Sequence, residues 1–293
     1  VSVDYHKETL VSDIKAENTR LGIELTFSDT VYNEKNIFVR RIRVKNQKHE
    51  KIEARIFFHQ QFKIGESFRA DTAYFDPDRK AIVHYKGRRV FMVGGSVGDD
   101  KSFDEYSVGL FDTKQGHDGT WRDAEDGTLS NNPVEHGVVD STVRFSVVID
   151  VGGEVHIDYW MTMATTIKDA RELHDYILQR SPEHLLETTG DFWYAWVNKR
   201  NFSFYGLSEE VVKLFKKSLL IIRTHVDNRG AIIASGDSSI LQYGNDTYSY
   251  MWPRDGAITA LALDKAGNFD LTRNFFRFCN EVISEDGYLF HKY

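Results

Sequence analysis

Val139-Asp140-Ser141-Thr142-Val143-Arg144-Phe145-Ser146-Val147-Val148-Ile149 alternates between apolar and polar residues, and Glu154-Val155-His156-Ile157-Asp158-Tyr159-Trp160-Met161-Thr162-Met163 repeats the pattern after a short turn. Period two with one apolar face predicts antiparallel strands covered on one side. Between them, Gly152-Gly153 accepts the positive φ of a tight turn, which predicts a hairpin. The same alternation runs outward through Leu21, Ile23, Leu25 and Phe27, and through Ile52, Ala54, Ile56 and Phe58. Turns are marked by Asp76-Pro77-Asp78 and Lys86-Gly87. So many strands exceed a small barrel and predict a large two-sheet sandwich. Gly94-Gly95-Ser96-Val97-Gly98 lacks the Lys-Ser/Thr ending of a phosphate loop and reads as a turn. The acidic pairs Asp99-Asp100 and Glu125-Asp126 read as solvated loop residues.

The period changes near Thr166. Ile167, Ala170, Leu173 and Ile177 follow helical spacing, and Ser181-Pro182 supplies a cap and a first-turn proline for a second helix. That helix carries Leu185, Leu186, Thr189, Phe192, Trp193 and Trp196. A third opens at Ser208, with Glu209 and Glu210 in its first turn. It is expected to bury Val211, Phe215, Leu219 and Ile222 and to solvate Lys213, Lys216 and Lys217. Two more run from about Asp255 to Ala266 and from Asp270 to about Ser284, joined at Gly267, as an antiparallel pair. The expected layout is a β-sandwich over 1–166, a helical connector over 167–205 and helical hairpins over 206–293.

At 293 residues and 41% hydrophobic content, the chain can bury a sizeable core in about two domains. A net charge of −7 and the lack of a recurring Lys/Arg block count against nucleic acid and anionic membrane as partners. No apolar run reaches the roughly 18 residues of a membrane span. One cysteine, Cys279, allows no internal disulfide and fits a reducing, cytoplasmic setting, with the thiol read as a small core residue. No secretory signal is visible, but Val1 stands where Met would, so the true N-terminus is taken as missing. The histidines are scattered without His-x-x-x-His spacing, so no metal and no cofactor is expected.

The residues that carry chemistry are Tyr248-Ser249-Tyr250-Met251-Trp252-Pro253-Arg254-Asp255-Gly256-Ala257. Aromatic rings can cover the apolar C–H face of a sugar while a guanidinium and a carboxylate take its hydroxyls. Asp255 is the sharpest candidate, against a plain helix-capping role. Arg254 can hold vicinal hydroxyls or simply pair with Asp255 or Asp246. Trp252 can wall the site or belong to the core. Alternation sets residues 248, 250 and 252 on one side, and Pro253 holds Met251–Trp252 extended before the turn into the helix.

This segment resembles the Trp-x-Arg-Asp motif of glycoside hydrolase family 15, the glucoamylase family, and Asn228-Arg229-Gly230-Ala231-Ile232-Ile233-Ala234-Ser235 resembles that family's approach to it. The order of sandwich then helices is similar to bacterial and archaeal members, in which an (α/α)6 barrel follows. The resemblance implies inverting, exo-acting hydrolysis of α-glucosidic bonds, releasing glucose from the non-reducing end of an α-glucan oligosaccharide or α-linked disaccharide. It implies that Tyr248, Trp252, Arg254 and Asp255 hold that glucose. It also implies that the general acid and base are two glutamates beyond Tyr293, so that the chain is an internal fragment with an incomplete barrel. Inversion requires two carboxyls about 6.5–9.5 Å apart, and nothing in the sequence selects Glu281 or Glu285. Trehalases of the same family, family-65-type disaccharide phosphorylases and a non-catalytic carbohydrate-binding module remain alternatives.

Overall fold

The computed structural model describes residues 1–62, 64, 71–98, 102–112, 115–236 and 249–293. Its first strands are β1 (Ser2–Tyr5), β2 (Ser12–Asn18), β3 (Ile23–Val31), β4 (Ile37–Asn46) and β5 (Ile52–Gln61). β6 (Asp71–Asp76), β7 (Ala81–Lys86), β8 (Arg89–Val97), β9 (Glu105–Asp112) and β10 (His117–Asp118) follow. A short helix α1 (Thr120–Asp123) then precedes β11 (Val134–Gly137), β12 (Val139–Ile149) and β13 (Glu154–Ala164). The remaining elements are helices: α2 (Ile167–Arg180), α3 (Pro182–Asn198), α4 (Glu209–Thr224), α5 (Pro253–Lys265) and α6 (Phe269–Val282). The chain divides into two compact units, Val1–Phe192 and Trp193–Tyr293. Among the described residues, no helix is long and apolar enough to cross a membrane.

Nine strands form one antiparallel sheet in the order β1-β2-β3-β4-β13-β8-β7-β6-β11, and β10-β9-β12-β5 form a second. Their facing sides bury Ile42, Ile82, Val93, Val143, Phe145 and Ile157. An antiparallel sandwich is therefore the architecture, as alternation predicts. The β12–β13 connection is as tight as its glycines imply, with Gly152 at φ 66° and Gly153 N–H donating to Asp150 O at 2.9 Å. It is not a hairpin, because β12 lies between β9 and β5 while β13 lies between β4 and β8. The chain changes sheets here. Asn46 holds the crossing: its buried amide nitrogen donates to the carbonyls of Glu50, Ile149 and Asp150 at 2.8, 3.1 and 3.1 Å.

The outer face of the large sheet is covered as well, against the one-sided cover that alternation predicts. Ile37, Val39 and Trp160 are buried with Ile177, Leu185 and Leu186 of α2 and α3, and Ala81, Val83, Val90 and Met92 with Ala170. The helical stripe that the sequence shows after Thr166 thus packs back onto the strands. Thr166 caps α2 by accepting from Asp169 N–H at 3.1 Å, and Ser181 accepts from His184 N–H at 3.2 Å at the start of α3. Charge pins α2 in place: Arg171 donates to the buried carboxylate of Asp76 at 2.8 Å. Arg79 holds Asp175 through two hydrogen bonds of 3.1 and 2.8 Å.

Double cover also explains Gly94 and Gly95, which lie inside β8 rather than in a turn. Only Gly98 has the positive φ, 62°, of a turn residue. A Cβ on Gly94 would stand 2.6 Å from Trp160 Nε1, and one on Gly95 would stand 2.5 Å from Phe145 Cζ and 2.7 Å from the Asp158 carbonyl oxygen. The two glycines make room for a large ring on each face. Gly95→Ala is expected to destabilise the first unit by about 2–3 kcal/mol, the upper range for overpacking, since a backbone carbonyl cannot rotate away. Chemical denaturation measures it; a loss below that of Gly98→Ala, where the added Cβ meets open space, would show that the strands yield.

In the second unit, α5 and α6 form the expected antiparallel pair, turning at Gly267 with φ 74° and tied by Thr272 Oγ1 donating to Ala260 O at 3.2 Å. Their shared core contains Ala260, Leu263 and Phe275. Cys279 is partly buried beside this core. α4 buries Leu219 and Leu220, but Val211 is 46% exposed in the first turn and does not join them. Leu21 is likewise 50% exposed, because β3 begins after it.

Candidate functional site

The motif enters as an extended segment and leaves as a helix. Met251 exchanges both backbone hydrogen bonds with Tyr293 (3.1 and 3.0 Å) and bridges Ile233 on its other side. Ala234 N–H donates to Tyr250 O at 3.0 Å. This pairing buries the Met251 side chain in the second unit's core. In extended geometry its neighbours must then face the other way, so Tyr250 and Trp252 share the outer side, as alternation predicts. Tyr248 and Asp246, and with them the proposed role of Tyr248, lie outside the described residues.

The preceding approach is fixed by Asp227, whose Oδ1 accepts from Arg229 and Ala231 N–H at 2.8 Å each. Gly230 has φ 99°, and a Cβ there would overlap the Asn274 carbonyl of α6. Trp252 stands at the N-cap of α5 with φ −105° and ψ 116°, followed by Pro253 at the first helical position. The first helical bond runs from Gly256 N–H to Trp252 O at 2.8 Å. Gly256 must be small because a Cβ would come within 2.6 Å of the Phe275 ring. A glycine and a proline thus set the angle at which Arg254 and Asp255 leave the strand.

Arg254 and Asp255 form a pair at 3.0 Å, with Arg254 75% and Asp255 39% exposed at the side chain. The N-cap itself makes no side-chain capping bond. Asp255 therefore sits in the positive first turn with its carboxylate turned to a guanidinium, and an exposed pair of this kind adds little stability. Together with Trp252 they line a cleft of about 160 Å³ to which Leu289, Phe290 and His291 also contribute. Sequence reasoning brought Trp252, Arg254 and Asp255 together and missed His291 and Lys292. The imidazole meets the Trp252 ring edge-on, with centroids 4.5 Å apart at 77°. Lys292 Nζ lies 4.5 Å from the Tyr250 ring centroid and 5.8 Å from that of Trp252. The signal for both lay in the long-range pairing of Tyr293 with Met251, which local pattern does not carry.

Glu281 is exposed and 3.8 Å from Arg229, and Glu285 is exposed in the turn after α6. Neither lines the cleft, where Asp255 is the one carboxylate among the described residues. No cluster of three or more His, Cys, Asp or Glu suited to a metal occurs among the described residues.

No protein-family model matches the chain. It is 24% identical over 293 residues to an uncharacterized glycosyl hydrolase of Methanocaldococcus jannaschii, covering 98% of this chain and 45% of that protein. It superposes with a TM-score of 0.80 on a bacterial glucoamylase solved in complex with acarbose, over 99% of this chain and 42% of the other, at 14% identity. The fold is similar to that part of this glucoamylase structure. The chain spans less than half the length of either protein.

Proposed function

We propose that the chain is part of an inverting, exo-acting glycoside hydrolase that releases glucose from the non-reducing end of an α-glucan oligosaccharide or an α-linked disaccharide. One observation supports this most: an indole, a guanidinium and a carboxylate converge on one cleft, on a glucoamylase fold. Trp252 covers the apolar face of the terminal glucose. Asp255 accepts from its hydroxyls and Arg254 donates to them, with Tyr248 completing the pocket. In this reading α4, α5 and α6 belong to an (α/α)6 barrel. The general acid and base come from the rest of the whole protein, since Asp255 alone cannot supply two carboxyls on opposite sides of a bond.

The test is made in the whole protein. Asp255→Asn keeps the side chain's shape and removes its charge, and Arg254→Ala removes the fork. Each is expected to lower kcat/KM on maltose about ten- to hundredfold, the equivalent of one charged hydrogen bond of about 1.5–3 kcal/mol. The loss should fall mainly on kcat, because hydroxyl contacts tighten as the ring flattens toward an oxocarbenium-like transition state. The melting temperature should hardly change. Unchanged kinetics with a melting point several degrees lower would make Asp255 a structural residue and end the sugar-site reading.

A further inference from the structure

We propose that His291 is a second, specificity-determining substrate contact of this cleft, its imidazole hydrogen-bonding one hydroxyl of the terminal sugar while Trp252 carries the ring face. The proposal rests on the reading of the cleft as a glucose site. Three observations carry it. His291 is exposed and lines the same cleft as Arg254 and Asp255. Its position is set by backbone rather than chance, because the exchange between Met251 and Tyr293 lays the final residues alongside the motif. Its ring is also braced edge-on against Trp252, whose face is flanked by Lys292. A ring held in this way loses little freedom when it binds.

The chemistry of the cleft has a gap that His291 fills. A guanidinium only donates and a carboxylate only accepts, whereas a sugar hydroxyl does both. Leu289 and Phe290 also line the cleft, and their side chains carry no hydrogen-bonding group. Neutral imidazole offers one N–H donor and one acceptor nitrogen, so it is the side chain of this wall able to serve a hydroxyl in either sense. Discrimination follows from that pairing. A polar group that contacts a hydroxyl penalises an analogue lacking it far more than an apolar wall does.

The test uses the whole protein with maltose and the maltose analogues that lack one hydroxyl of the non-reducing ring. Wild-type kcat/KM should fall about tenfold for the analogue missing the hydroxyl that His291 contacts. His291→Ala should lose about tenfold on maltose and nothing further on that one analogue, while retaining the wild-type penalty at the other hydroxyls. His291→Gln, which keeps a donor and an acceptor, should recover part of the loss. Melting temperatures of both variants should match the wild type, since His291 is exposed. The inference is overturned if His291→Ala behaves as wild type on every analogue, or if it lowers all of them by one common factor. Asp255→Asn separates the two levels of failure. If it costs tenfold or more while His291→Ala is silent, only this inference falls; if Asp255→Asn is silent too, the glucose-site reading falls with it.

Discussion

Between pH 7.5 and pH 5, the unit Val1–Phe192 is expected to lose about 4 kcal/mol of stability, because it folds around two histidines that must stay neutral. His84 and His174 are 1% and 2% exposed. Burial is the leading cause of both shifts, lowering His84 to about 3 and His174 to about 4. Hydrogen bonding fits the neutral form. Ser141 Oγ donates its one proton to Gln60 Oε1 at 2.8 Å, so His84 Nε2, 2.8 Å from the same hydroxyl, carries the N–H. Trp160 Nε1 donates to His174 Nδ1 at 3.1 Å, which requires a lone pair there. Unfolded rings take up a proton near pH 6.5. Below that value and above the folded pKa values, the unfolded chain binds more protons, so stability is whole above about 6.5 and drains as the pH falls. At pH 5 each ring costs about 2 kcal/mol. Urea unfolding across this range should show a slope approaching two protons, and His174→Gln should remove one of them. A stability that is flat from pH 7.5 to 5 would mean that water reaches both rings.

Those two histidines also show what the sequence carries and what it does not. Alternation through β12 and β13 told which side chains face the sandwich core, because that depends only on a period of two. It could not tell that the strands lie in different sheets, since strand partners are chosen by non-local pairing. For the same reason Trp160, an outward residue by alternation, proved one of the largest fully buried side chains; the return of α2 and α3 over this face covers it. Gly94 and Gly95 looked like a turn because glycine marks turns locally, whereas here they answer to rings that arrive from β12, β13 and α2. Caps were legible at Ser181 and Ser208, where one side chain and the backbone N–H three residues on suffice, whereas the Thr166 cap went unread although it is built the same way. At the cleft, Trp252, Arg254 and Asp255 were legible as neighbours in sequence. His291 was not, because its place depends on Tyr293 finding Met251.

A chain ending near Thr166 is expected to fold poorly, although every strand of the sandwich precedes that residue. We propose that the folding unit runs to about Phe192, with the helices an integral layer rather than a connector. Ending at Thr166 removes Ala170, Ile177, Leu185 and Leu186 and opens Ile37, Val39 and Trp160 to water. It also strands the carboxylate of Asp76, buried and paired with Arg171, and leaves Trp160 Nε1 without His174. Re-exposing three large apolar side chains costs about 5 kcal/mol by area alone, which equals the whole stability of a weak domain, about 5–15 kcal/mol. The orphaned polar groups add to that. The comparison is between chains ending at 166 and at 192, by circular dichroism melting and by dye binding to exposed apolar surface. The longer chain should melt cooperatively with mixed β and α signal. The shorter should keep β-type signal but melt broadly and bind dye. Equal, sharp transitions in the two would mean that the sandwich core of Phe145, Ile42 and Ile157 holds the sheets together unaided, and that α2 and α3 cover the outer face without deciding whether it forms.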